Sequence, residues 1–71
     1  MEKFERGQLV KFGDNKNPES GEVQARFIQN TEVEIDGRTI THKATAKNPA
    51  YLIKIKENDH VMKSESDLRP F

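Results

Sequence analysis

Apolar residues in this chain recur at every second position within short runs, and turn formers separate the runs. That is the spacing of half-buried strands. The clearest case is Thr31 to His42, two alternating β-branched runs on either side of Asp36-Gly37. An Asp-Gly pair in that setting predicts a two-residue hairpin loop, because the turn that matches strand twist needs positive φ at both central positions. The loop fixes the register. Ile35 then faces Arg38, Val33 faces Ile40 and Thr31 faces His42, with Glu34–Thr39 and Glu32–Thr41 on the other, wet side. A two-stranded ribbon is marginal alone, so its apolar side needs further strands to cover it.

The flanking runs supply them. Leu9-Val10-Lys11-Phe12 sits between glycines, and its parity points Val10 and Phe12 inward. Residues 14–21 gather turn formers around Pro18 and predict an exposed loop. From Glu22, alternation places Val23, Ala25 and Phe27 on one face, and Gln29-Asn30 predicts a tight turn into the hairpin, giving a three-stranded meander. A helical repeat over 23–40 fails for want of apolar residues at three- and four-residue spacing. After a polar connection closed by Pro49, Ala50 to Ile55 is apolar on both faces, as in a strand buried from two sides where a barrel closes. Residues 57–59 form the next turn, and of two registers for the returning strand, the one pairing Ile55 with Val61 avoids setting Lys54 against Lys63. Ser64 is placed to cap a short helical turn, with Leu68 plugging the barrel end and Pro70 stopping it. The expected fold is all-β: a small five-stranded barrel with at most one short helical turn near the C-terminus. The domain spans 7–69, preceded by a short leader at 1–6 and followed by an end at 70–71. A seven-stranded sandwich would need about 100 residues.

Composition narrows the function. The 71 residues are 32% hydrophobic, close to the minimum for one core. Twelve basic and twelve acidic side chains cancel, so the global positive surplus that drives sequence-independent nucleic-acid binding is missing. With no cysteine the chain forms neither disulfides nor thiolate metal sites. The charged Met1–Arg6 start does not resemble a signal peptide, and no window approaches the roughly 18 apolar residues of a membrane span, so the expected compartment is the cytoplasm.

Gly37-Arg38-Thr39-Ile40, Asn48-Pro49-Ala50-Tyr51-Leu52-Ile53, Val61-Met62-Lys63 and Ser66-Asp67-Leu68, in that order, resemble the hypervirulence-associated protein Tudor-like domain family. The resemblance runs from Gly7 to Leu68 and is most specific at Asn48 to Ile53. Gln8 stands where the family usually has an acidic residue, and Phe12 where tryptophan is common. The resemblance implies a Tudor-type, Src-homology-like barrel that binds rather than catalyses, with no agreed ligand and no catalytic residues.

Tudor-type barrels elsewhere cage methylated cations with aromatic faces, each contact contributing about 0.5 to 2 kcal/mol. Phe12 and Phe27 fit core parity here, which leaves Tyr51 as the ring for a rim, against the plainer reading of a packed ring with its hydroxyl at the surface. Arg38, Lys43 and Lys47, with His42 between them, form a candidate anion site near the hairpin and its exit. A solvated face mixed with Glu32 and Glu34 is the plainer alternative. Asp14 and Asn48 add polar contacts. His42 and His60 lack a second ligand at metal spacing, and the serines lack an assigned base, so neither a metal, a cofactor nor catalysis is expected. The function expected is a non-enzymatic adaptor that binds a protein segment or a small anionic ligand at a barrel end or edge. The alternative is RNA or single-stranded DNA binding by the same barrel.

Overall fold

A computed structural model describes residues 4–13, 16–35, 37–56 and 59–71. Among these residues seven strands follow in order: β1 (Leu9–Phe12), β2 (Glu19–Phe27), β3 (Thr31–Ile35), β4 (Arg38–His42), β5 (Ala50–Lys56), β6 (Asp59–Ser64) and β7 (Arg69–Pro70). A 3₁₀ turn at Glu65–Asp67 joins the last two. Among the described residues, β3 and β4 pair only with each other, in the register that the Asp-Gly turn dictates from Thr31–His42 to Ile35–Arg38. Gly37 takes φ +79°, as such a turn requires. Asp36 and Asp14 lie outside the described residues.

The other five strands form one antiparallel sheet in the order β6-β5-β2-β1-β7. The expected closed barrel is not formed: β6 and β7 are opposite edges and do not pair. The sheet nevertheless curls. Laid flat, five strands span about 19 Å, whereas one 3₁₀ turn plus Leu68 bridges only about 12 Å. Leu68, 3% exposed, fills the hollow of the curl with Phe4, Val10, Phe12, Val23, Tyr51 and Ile53. Phe4, in the stretch read as a leader, thus belongs to the core.

The meander through β2, β3 and β4 is also corrected. β2 pairs with β1 and β5, and the β3–β4 hairpin is an excursion between β2 and β5. It packs on the convex face of the sheet, where Ile35 joins Ala44, Ala50 and Met62, with Val33, Ile40, Leu52 and Phe27 around them. β5 is therefore buried from two sides by a second layer rather than by barrel closure. Asn30, read as part of a tight turn, instead accepts the Ala44 N–H on its side-chain oxygen at 3.1 Å and ties the base of the hairpin.

Two bulges contribute to the remaining departures. β2 slips register between Val23 and Ala25, so Val23 faces the hollow while Ala25 and Phe27 face the hairpin. The register of β5 with β6 differs by two residues from the expected one: the turn pairs Lys56 with Asp59, and β5 then slips by one between Lys54 and Lys56, so Ile53 rather than Ile55 opposes Val61. Each bulge turns a short strand over without breaking its ladder. The loop expected at 14–21 is shorter, because Glu19, Ser20 and Gly21 already pair with β1.

Candidate functional site

The family-like stretch Asn48 to Tyr51 works as a lock. Asn48 N–H donates to Thr45 Oγ1 at 3.0 Å, and Thr45 N–H to the Asn48 carbonyl at 3.3 Å, closing the connection on itself. The Asn48 side-chain oxygen accepts Ser66 N–H at 3.1 Å, and the carbonyl of buried Pro49 accepts Glu65 N–H at 2.8 Å. These bonds satisfy N–H groups that the start of a helical turn leaves open. Ser64, expected to cap this turn, makes no cap bond. Its Oγ sits 3.1 Å from His42 Nε2 instead, joining the end of the hairpin to β6.

Tyr51 completes the lock from inside. Its ring is 0% exposed and meets Phe4 edge-on, with centroids 5.7 Å apart and planes at 80°. Its hydroxyl donates to Glu65 Oε2 at 3.2 Å. Burial pushes the hydroxyl above its ordinary pKa; a hydrogen bond with Arg26 opposes this, and the Glu65 carboxylate adds to it. Tyr51 therefore offers no ring face at a rim. It is the packed ring with a polar handle that the plainer reading describes.

Among the residues expected at the rim, Arg38, Lys43, Lys47 and Asn48 are exposed. They do not converge as expected. Arg38 opens β4 at the hairpin tip and Lys43 follows its far end, about 16 Å away at strand rise. Lys43 and Lys47 share the connection, and the backbone groups and side-chain oxygen of Asn48 are engaged in the lock. Among the described residues, no group of three or more His, Asp or Glu is placed to hold a metal ion, and no helix is long and apolar enough to cross a membrane.

Two surfaces that sequence reasoning did not resolve are better placed. The first is the outer edge of β6. The Glu65-to-Pro49 bond sets the phase of the β5–β6 ladder, so Val61 and Lys63 direct their backbone groups toward β5. His60, Met62 and Ser64 then point theirs outward, where no described strand pairs with them. The second is the part of the convex face that the hairpin leaves open. Leu9, Glu22 and Lys54 form a row across β1, β2 and β5, and Lys11 lies opposite Ser20 in the next. Leu9, Ser20, Glu22 and Lys54, with Ile55, Lys56 and Phe71, border a groove of about 340 Å³, and Lys11 stands beside it at the Phe71 ring. An edge was expected only in general terms, and the groove depends on where the hairpin lands.

Curled sheet, hairpin layer and lock together make a small all-β domain of the Tudor-like class. The family model for the hypervirulence associated proteins TUDOR domain matches residues 7–68, and the chain belongs to that family. No curated protein and no solved structure gives a match.

Proposed function

We propose that this domain is a non-enzymatic binding module that captures an extended protein segment by adding it to the outer edge of β6. The supporting observation is the run of outward backbone groups at His60, Met62 and Ser64, on a strand paired with β5 along its length and tied at its C-terminal end by the Glu65-to-Pro49 bond. Strand addition draws its affinity from main-chain hydrogen bonds and asks for no deep pocket, which suits a core this small. His60 and Met62 alternate with Val61 and Lys63 along the edge, so side chains of an added strand meet a different surface on each face.

Titration of the isotopically labelled chain with a pool of extended peptides tests this. Amide shifts should centre on His60, Met62 and Ser64, and affinity should change little as salt rises. Binding that instead weakens steeply with salt and responds to oligonucleotides would show phosphate tracking by the lysines and overturn the reading.

A further inference from the structure

The open part of the convex face has a chemistry of its own. Its floor is apolar and unusually bare: Leu9 is 50% exposed and Phe71 68%. Among the described residues its charge is lopsided in a chain that is neutral overall: Lys54 and Lys56 border the groove with Glu22, and Lys11 stands at the Phe71 ring. The Glu22 carboxylate is partly occupied by Gln24 Nε2 at 3.0 Å. Lys11 Nζ stands 5.4 Å from the centroid of the Phe71 ring, so cation and ring form one wall. Apart from Phe71, the floor belongs to β1, β2 and β5, the middle of the sheet, and that part is preorganised rather than assembled on binding. A groove of about 340 Å³ is at the small end of ligand sites and has room for one large side chain rather than a cofactor.

From this we infer a second docking site, distinct from the β6 edge, for an acidic peptide segment that carries one bulky apolar side chain. The apolar group lies over Leu9 and Phe71, and the flanking carboxylates reach Lys54 and Lys56 on one side and Lys11 on the other. A nucleic-acid strand fits less well. A phosphate backbone crossing the three strands would meet the Glu22 carboxylate between its lysine contacts.

The test uses the full chain and a short fluorescent peptide of glutamates around one phenylalanine. The expected result is saturable binding with amide shifts at Leu9, Ser20, Glu22 and Lys54. Replacing the peptide's phenylalanine by alanine, or Phe71→Ala in the protein, should weaken binding about fivefold to tenfold. Lys54→Glu with Lys56→Glu should weaken it at least about tenfold, and a lysine peptide around phenylalanine should bind this double variant in place of the wild type. Both lysines are exposed, so the fold is retained, which unchanged shifts of the core residues would verify. Shifts confined to His60, Met62 and Ser64 would overturn the groove while supporting the edge, and oligothymidine binding in preference to the peptide would overturn it outright.

Discussion

Gly21 is where the sheet is least tolerant of change. It sits in β2 opposite Val10 of β1, and a methyl group built there would lie 2.5 Å from Ile53 Cγ2 and 2.8 Å from the Lys54 carbonyl oxygen of β5. Ordinary contact starts at 3.4 Å, so the carbonyl would have to retreat by more than half an ångström. The Ile53 side chain is fully buried and β-branched, with few alternative rotamers to relieve the clash. Overpacking of this kind costs about 1 to 3 kcal/mol. Against it runs the entropic gain of Gly→Ala, about 0.4 to 1 kcal/mol where the backbone accepts a side chain. The net expectation for Gly21→Ala is a loss of about 1 kcal/mol out of about 4 to 11 that a chain of this length holds, and a fall in Tm of about 4 to 8 °C. Urea and thermal unfolding followed by circular dichroism measure both. A variant as stable as the wild type, or more so, would refute the close approach of β2 to β5 and with it the curl.

The lock yields further predictions. Asn48→Ala removes the acceptor for Ser66 N–H and should cost about 1 kcal/mol in urea unfolding, while Asn48→Asp, which keeps an acceptor, should remain near the wild type. Tyr51→Phe leaves the Glu65 carboxylate without its hydroxyl donor and should cost about 1 kcal/mol with the ring packing unchanged. The chain has one tyrosine and no tryptophan, so phenolate absorbance reports Tyr51 alone and should titrate above 10.0 in the folded protein. The sign follows by linkage. Below 10.0 the hydroxyl is protonated in both states and its stabilisation is intact; as pH rises further the unfolded chain gives up its proton first, and stability falls until pH passes the folded value. Stability constant across that window, or a titration at the ordinary value, would contradict a buried hydroxyl.

Much of the fold was legible in local chemistry, and the reasons for the rest are specific. The β3–β4 register followed from Asp36-Gly37 because a two-residue loop leaves no freedom. Val10 and Phe12 were readable as core because β1 has no irregularity to disturb its parity. At β2 and β5 a single extra residue reverses the faces beyond it, and neither bulge carries a glycine to announce it. The strand order was hidden for another reason. Gln29-Asn30 has the composition of a turn, yet Asn30 serves as a tether for Ala44 across the hairpin base. Tyr51 was ambiguous because tyrosine suits both rim and core, and only the positions of Phe4 and Glu65 decide between them. The groove was invisible for the same reason that it is open: it is the sheet surface an excursion from β2 to β5 fails to cover.

The most direct test of an open, curled sheet with a usable edge is residue-resolved amide hydrogen exchange along β6 in the free protein. Exchange should alternate, with Val61 and Lys63 protected by β5 and His60, Met62 and Ser64 exchanging fast. Uniform protection from His60 to Ser64 would mean that another strand already closes this edge, and the capture of a partner there would have to be abandoned.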